Sequence, residues 1–392
     1  MWKVETMVEQ KERRVWSKKG KTIREMMKIS DDDKIYELLD KWHDDDEYDN
    51  ILNAIFEIPR ESWSIKLWFR VISAYNNKEE FSEAIDELEQ LRPNCVLKED
   101  VAKWYYMYAY IFYARDQYVV AKFLLDRGLE YDSEHESCIS LKEECEEYIA
   151  KKIKLIREML EYLDEIGENI QNELKEKDEL RDCEGVEFWA LLSFPVAFWK
   201  VPGVSHCMGR NTFYKCSSEE EKEQLREYLQ ERYNITDFES TKKVLSSFHN
   251  GQDYMDFVSF WNGEGFDINQ LNEINRAHFE ACMFFGEVIR DYVTDKGIFA
   301  ADIVDMMMIL RLTFACDLIS NYEYCQTALQ LADLAQEYYH SWKEYAMAYF
   351  CGGTYAVYRG ELTNLKETCD FLISMVKIVK HLDYWYYNWE SE

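Results

Sequence analysis

Residues Ile298–Ser320 read IFAADIVDMMMILRLTFACDLIS, and they are apolar on nearly every side of the helix that they predict. A helix of that character is surrounded by other helices, because a helix at a protein surface keeps one polar face. The following residues, 324–360, predict two further helices with a break around His340-Ser341. We therefore expect the whole stretch, Gly297 to Gly360, to form the core of an all-α domain.

Two carboxylates interrupt this apolar helix. Asp302 and Asp305 stand three residues apart, so they share a face of the helix. A buried carboxylate needs a cation, a helix N-terminus or solvent, and Arg311, Arg290 or Arg276 is the expected cation if the pair is structural. Alternatively, two close carboxylates push their pKa values apart and can serve as an acid and a base. Both interpretations stay open at this point.

The same stretch carries a recognisable pattern of short motifs. In order, these are Ala301-Asp302, Ile319-Ser320, Ser341-Trp342-Lys343-Glu344-Tyr345-Ala346, Tyr349 and Gly352. The pattern resembles the bacterial family called domain of unknown function 1266, in which an Ala-Asp or Trp-Asp pair opens a helix and Ser-Trp-x-x-Phe/Tyr and Tyr-x-x-Gly elements follow. The resemblance extends back to about Glu187, with Tyr228–Phe248 similar to an earlier helix–link–helix element. Family members carry an Arg where this chain has Asp305. The family has no established activity, so the resemblance implies a fold and no reaction.

Composition restricts the class of protein. The chain has 392 residues, and 76 Asp and Glu against 46 Lys and Arg leave a formal net charge of −30. Such an acidic surface repels phosphate backbones, which argues against nucleic-acid binding. The apolar runs contain charges, and the N-terminus lacks the apolar core of a signal peptide, so we expect no membrane contact. The 11 scattered Cys are typical of reduced thiols in a cytoplasmic protein.

Four segments are predicted along the chain. They are an N-terminal basic segment (1–29), a tetratricopeptide-like repeat domain (30–150), a bridging amphipathic helix (151–182) and a C-terminal helical domain (183–392). The repeats are indicated by Ala74-Tyr75 and Ala109-Tyr110, which recur at a spacing close to the tetratricopeptide length of about 34 residues. Each pair belongs to a predicted helix–turn–helix unit, and residues 34–58 predict a third, degenerate unit.

The bridging segment continues a long amphipathic run. Apolar residues such as Ile149, Ile153, Ile156, Leu160 and Leu163 recur at steps of three and four, as on one face of a helix. The run predicts a helix that caps the repeats and leads into the next domain. A coiled-coil dimer is the alternative, although the heptad pattern is short. We expect a monomer.

Metal and cofactor sites are not indicated. His206-Cys207 with Cys216, and His278 with Cys282, are the candidate ligand sets, and neither has a matching second half. The chain also lacks a phosphate-binding glycine loop and a Gly-x-Ser-x-Gly motif. We therefore expect no cofactor.

The predicted repeats favour a binding function, because stacked helix pairs form grooves that hold peptides or partner domains. The candidate binding residues are Trp68, Tyr75, Trp104, Tyr105 and Tyr108 in the repeats, and Asp302, Asp305, Arg311 and Trp342 in the C-terminal domain. The expected function is non-catalytic protein–protein interaction. The acidity favours a basic partner, as for an immunity protein that neutralises a polymorphic toxin. The alternative is an enzyme that uses the Asp302/Asp305 pair, with the repeats recruiting the substrate.

Overall fold

The computed structural model describes residues 32–183, 185–193, 211–249, 268–294, 296–360 and 363–391. Contacts divide the chain into two units, Met1–Tyr148 (unit 1) and Ile149–Glu392 (unit 2). The predicted basic segment 1–29 and the candidate ligands His206 and Cys207 lie outside the described residues. The predicted all-α fold is confirmed, since fifteen α-helices, a few short 3-10 turns and one pair of very short strands make up the regular structure of the described ranges.

Six helices lie in the described part of unit 1, and a seventh begins there. They are α1 (Asp32–Asp44), α2 (Tyr48–Phe56), α3 (Ile65–Asn77), α4 (Phe81–Leu91), α5 (Lys98–Ala114), α6 (Tyr118–Tyr131) and α7 (Glu136–Glu176). Ser64 begins α3 as an N-cap, because its hydroxyl accepts a hydrogen bond from the Leu67 N–H. Two 3-10 turns, Arg60–Ser62 and Arg92–Asn94, precede α3 and follow α4.

The first six helices pack as successive pairs. Helix α1 contacts α2, α3 contacts α4, and α5 contacts α6, while α3 also packs against α5. Small side chains allow this close approach: a β-carbon on Gly128 of α6 would lie 3.1 Å from the Tyr105 β-carbon of α5. The three helix pairs therefore occur where the sequence predicts them. Their assignment to the tetratricopeptide class stays a prediction.

Unit 2 contains the rest of α7 and eight further helices among the described residues. They are α8 (Gly185–Leu192), α9 (Glu219–Tyr233), α10 (Phe238–His249), α11 (Glu273–Ile289), α12 (Phe299–Ala315), α13 (Asn321–Tyr338), α14 (Trp342–Gly360) and α15 (Leu365–Ile378). The predicted break around His340-Ser341 falls between α13 and α14, as expected.

Helix α12 lies at the centre of unit 2. It contacts α8, α9, α10, α13 and α14, and only Ala301, Asp302 and Asp305 among its residues are not buried. At its start the Ala300 N–H donates to the Tyr339 hydroxyl at 2.8 Å. At its end Lys215 Nζ donates to the Phe314 carbonyl at 2.6 Å, a cation at the negative end of the helix dipole. The prediction that other helices surround this segment is confirmed.

The apolar stripe of α7 packs inside the single chain. Ile156, Leu160 and Leu163 have 0% exposure, and a β-carbon on Gly167 would meet the Trp385 ring at 2.6 Å. Lys343 Nζ of α14 also reaches Glu168 of α7 at 2.8 Å. The predicted bridging residues 151–182 are thus covered within unit 2, and the unit boundary falls inside α7.

Two short strands were not expected from the sequence. Strands β1 (Arg181–Cys183) and β2 (Tyr387–Ser391) pair in parallel. The pairing brings the aromatic C-terminal tail back onto unit 2, where Trp385 is buried and the Trp389 ring lies 4.8 Å from that of Trp342. Within the described ranges, the helices are too short or too polar to cross a membrane.

Candidate functional site

Unit 1 contains a groove between three of its helices. Its volume is about 550 Å³, within the range of ligand sites in proteins. Helix α1 contributes Tyr36, Glu37 and Asp40; α3 contributes Lys66, Phe69, Arg70 and Ser73; α5 contributes Lys103 and Met107. We call this the α1–α3–α5 groove. It exists because the first helix of each pair faces the same side of the stack, so one side chain in every three or four reaches it.

Charged side chains dominate the walls of this groove. Arg70 is paired with Asp40 across the α1–α3 contact, and the Tyr36 and Ser64 hydroxyls hydrogen-bond at 2.7 Å nearby. Lys66 and Lys103 add two further cations, and their ammonium groups lie over aromatic rings. The candidate residues of the sequence analysis do not include any of these groups. The spacing of Lys66, Arg70 and Ser73 on one helical face is the signal that could have identified them.

The predicted aromatic anchors lie elsewhere. Trp68, Trp104, Tyr105 and Tyr108 are all buried in this structure, and their role in binding a partner stays a prediction. Trp104 shows the reason for this burial, because its indole N–H donates to the Leu88 carbonyl at 2.7 Å and ties α5 to α4. Tyr75 is half-buried, with its ring 6.4 Å from that of Phe56. Large aromatic residues in these helices fill the space between helix pairs.

In unit 2, Asp305 of α12 is a carboxylate whose pKa is strongly raised. Solvent reaches its side chain, yet desolvation raises its pKa from the ordinary 3.8 to about 6. The side chain is exposed, so the desolvation comes from the protein atoms that surround it at longer range. We call Asp305 together with the charged and phenolic groups near it the Asp305 site. Within the part of the chain that the structure describes, Asp305 has neither a hydrogen bond nor an ion pair. Its charged neighbour is Arg232 of α9, which partly offsets the rise in pKa.

Tyrosines complete the surroundings of Asp305. Burial and the Asp305 charge raise the pKa of Tyr349, which lies on α14 and is 3% exposed. Burial, Tyr233 and Asp305 likewise raise the pKa of Tyr228 on α9. The Asp305 site therefore combines a carboxyl whose pKa is raised to about 6 with a guanidinium and two phenols. Such a group can give or accept a proton under cellular conditions.

The three arginines predicted as partners of the carboxylate pair are not among the causes that shift the pKa of Asp305. Arg276 contacts Glu280 and Arg290 contacts Glu287, whereas Arg232, distant in sequence, supplies the nearby charge. The two carboxylates also differ in setting. Asp302 is half-buried in the first turn of α12, where the helix dipole favours a negative charge. Asp302 is not among the causes that shift the pKa of Asp305, and the coupling of the two carboxylates stays a prediction.

Arg311 is part of the core. It is 2% exposed, and its guanidinium donates to the Ser193 hydroxyl at 2.6 Å and to the Asn211 carbonyl at 3.1 Å. Burial lowers its pKa. Because these partners belong to separate segments of unit 2, Arg311 joins the end of α8 and the segment before α9 to α12. The role of Arg311 in binding a partner stays a prediction.

Trp342 forms one wall of a second cavity. The side chain is fully buried, and its indole N–H donates to the Asn388 carbonyl at 3.2 Å. The cavity measures about 460 Å³. Its polar lining residues come from α7, the two strands and the α13–α14 link, and they are Gln171, Lys175, Asp182, His340, Ser341 and Asn388. Trp342 therefore lines this cavity, and its hydrogen bond to Asn388 attaches the C-terminal strand to α14.

These features define an all-helical domain built around one apolar helix, with an exposed carboxylate of raised pKa on that helix. Residues 228–384, which include α12 and the Asp305 site, match the model of a family described as "Protein of unknown function (DUF1266)". The resemblance predicted from the Ala301-Asp302, Ser341-Trp342 and Tyr349-x-x-Gly352 motifs is confirmed over these residues. Comparisons with curated proteins and with solved structures each give no match.

Proposed function

We propose that this chain is a non-catalytic interaction protein that binds a polypeptide segment in the α1–α3–α5 groove. The observation that carries the proposal is the groove itself, which has a volume of about 550 Å³ and is lined by side chains from three successive helix pairs. Three adjacent helices at interaxial distances of about 8–10 Å span about 16–20 Å. An extended chain of about five or six residues covers that length.

The character of the lining supports a polypeptide ligand. Phe69, Tyr36 and Met107 offer apolar surface, while Glu37, Arg70 and the two lysines offer charged groups at intervals along the groove. A peptide suits such a surface, because its side chains occur at regular intervals along a backbone that supplies hydrogen-bond donors and acceptors. The buried aromatic residues described above pack between the helix pairs, and a groove that is formed before its ligand binds lowers the entropic cost of binding.

A narrower hypothesis is that the partner is a basic polymorphic toxin and the chain its immunity protein. The net charge of −30 supports it, because a basic protein is attracted over long range to an acidic one. The cations of the α1–α3–α5 groove oppose it at that surface. A basic toxin would therefore bind at another, acidic face of the chain.

Selection of peptides on the immobilised full chain tests the proposal. A displayed random-peptide library is enriched on the wild type and on Ser73→Trp, which fills the groove with an indole. Lys98→Trp, at an exposed position outside the groove on α5, is the matched control. We expect peptides that bind the wild type and the control but not Ser73→Trp, provided that both variants melt like the wild type. Peptides that bind all three chains equally, or no enriched peptides, would contradict the proposal.

The Asp305 site favours acid–base chemistry as a second candidate function. Its carboxyl is exposed, and its surroundings raise its pKa to about 6, close to the pH at which proton transfer is most useful. In this case the repeats would recruit the substrate. The test is complementation of a deletion strain: a well-folded Asp305→Asn variant that fails to restore the phenotype favours this function, and full restoration excludes it.

A further inference from the structure

The lining of the α1–α3–α5 groove carries more positive than negative charge, in contrast to the acidic chain as a whole. The chain as a whole has a net charge of −30, but the groove brings together Lys66, Arg70 and Lys103. Two carboxylates, Glu37 and Asp40, also lie there, and Asp40 is already paired with Arg70. The cations therefore outnumber the carboxylates at this one surface.

Two of these cations lack a carboxylate partner within the described residues. The ammonium group of Lys66 lies 5.5 Å from the Tyr36 ring centroid, and that of Lys103 lies 4.8 Å from the Phe69 ring centroid. Aromatic rings attract a cation, but more weakly than a carboxylate at the same distance. Both ammonium groups thus keep hydrogen-bond donors available to a ligand.

The surroundings of Lys103 in the α1–α3–α5 groove disfavour its positive charge. Lys103 is half-buried, and burial together with the charges of Arg70 and Lys66 lowers its pKa. The nearby Asp100 and Asp40 act in the opposite direction but do not offset these causes. A carboxylate that entered the groove would neutralise this excess of positive charge, so its binding is favoured beyond a simple surface contact.

We propose that the α1–α3–α5 groove binds an acidic peptide segment, with Glu or Asp side chains on Lys66 and Lys103 and neighbouring apolar side chains on Tyr36, Phe69 and Met107. This inference rests on the proposed function and names the chemistry of the partner. A nucleic acid also carries negative charge, but its phosphates continue beyond the groove over the acidic remainder of the chain. A peptide can confine its carboxylates to the length of the groove.

Fluorescence anisotropy with the full chain tests this inference. The probes are a fluorescein-labelled peptide of alternating Glu and Leu, its counterpart with Gln in place of Glu, and its counterpart with Lys. We expect the Glu peptide to bind at least about tenfold more tightly than the Gln peptide, because charge-assisted hydrogen bonds are lost in the latter. Lys66→Ala and Lys103→Gln should each weaken the Glu peptide about tenfold. Lys98→Ala should leave its affinity unchanged.

Several results would show that the α1–α3–α5 groove does not bind an acidic peptide. Equal binding of the Glu and Gln peptides, tighter binding of the Lys peptide, or equal weakening by Lys98→Ala would overturn the inference. An oligothymidine that displaces the Glu peptide at equal concentration would identify the groove as a nucleic-acid site instead. If the library selects groove-dependent peptides that are neutral or basic, the proposed function stands and the acidic partner is wrong. If neither the library nor the Glu peptide binds in the groove, the proposed function fails as well.

Discussion

Gly352 of α14 lies directly against Ile298 at the start of α12. A β-carbon on Gly352 would sit 2.8 Å from the Ile298 carbonyl oxygen and 2.7 Å from the Ala301 β-carbon. These distances are shorter than van der Waals contacts, and the oxygen belongs to the backbone, so the neighbour cannot rotate away. The close approach of α12 and α14 therefore depends on glycine at this position.

Gly352→Ala should consequently destabilise unit 2. We expect a loss of about 1–3 kcal/mol in the free energy of unfolding, the usual cost of overpacking a core. Denaturant unfolding followed by circular dichroism measures it. Gly360→Ala is the control, because a β-carbon there meets no atom within 4 Å. If both variants unfold at the same denaturant concentration, the contact between α12 and α14 is not as close as described.

Asp305→Asn should stabilise the protein near neutral pH. The folded chain holds a proton on Asp305 between pH of about 4 and about 6 that the unfolded chain has released, so the stability of the wild type falls as pH rises through this window. The Asn variant lacks this loss. We expect a gain of about 1 kcal/mol near pH 7, less than the full pKa shift implies because solvent reaches the group.

Asp333→Asn, at an exposed position of α13, is the matched control and should change stability little. Thermal unfolding of the wild type, Asp305→Asn and Asp333→Asn from pH 4 to pH 8 measures how the stability of each depends on pH. A destabilised Asp305→Asn variant at pH 7 would mean that the carboxylate is held by a structural partner, and it would remove the case for a functional role of Asp305.

Asp317 should give the opposite pH dependence. Hydrogen bonds from Lys215 and Lys222 lower its pKa from the ordinary 3.8 to about 2. Its contribution to stability is therefore complete above pH of about 4 and is lost as pH falls towards 2. Asp317→Asn keeps a residue that tolerates the positive φ of 61° at this position. We expect it to be less stable than the wild type by up to about 1 kcal/mol near pH 6.

The difference between wild type and Asp317→Asn should shrink as the pH is lowered from about 4 to about 2. Urea unfolding at a series of pH values provides the measurement. A difference that stays constant across this range would show that Asp317 acts through the backbone conformation and not through its charge.

The isolated chain should sediment as a monomer. The residues that would form a coiled-coil seam on α7, such as Ile156, Leu160 and Leu163, have 0% exposure in the single chain. Burial there leaves no continuous apolar stripe for a second copy. Analytical ultracentrifugation at micromolar concentration tests this. A dimer that the exposed-site variant Leu155→Lys dissolves, with an unchanged melting temperature, would contradict it.

Periodicity predicts much of this fold but little of its candidate sites. The apolar character of α12, the helix pairs of unit 1 and the break at His340-Ser341 follow from local pattern, because each is set by residues three or four positions apart. The sites depend on residues that are distant in sequence. Lys103 joins Arg70 only through the packing of α5 on α3, and Arg232 reaches Asp305 only through the packing of α9 on α12.

The aromatic residues illustrate the same difference. Trp68 and Trp104 are equally suited to a binding surface and to the space between helix pairs, and composition alone does not distinguish the two. The structure places both in the core, with the Trp104 indole bonded to the Leu88 carbonyl. The short β1–β2 pair was also outside prediction, because Arg181–Cys183 is too brief for an alternating pattern.

Site-specific photo-crosslinking in the native cell tests the central claim most directly. A benzophenone amino acid replaces Ser73 inside the α1–α3–α5 groove, or Lys98 outside it on α5, in the full chain. We predict a polypeptide adduct at position 73 that is absent at position 98, that maps to a short segment of the partner and that Lys103→Gln reduces. No adduct at position 73, or the same adducts at both positions, would contradict the assignment of this groove as a polypeptide-binding site.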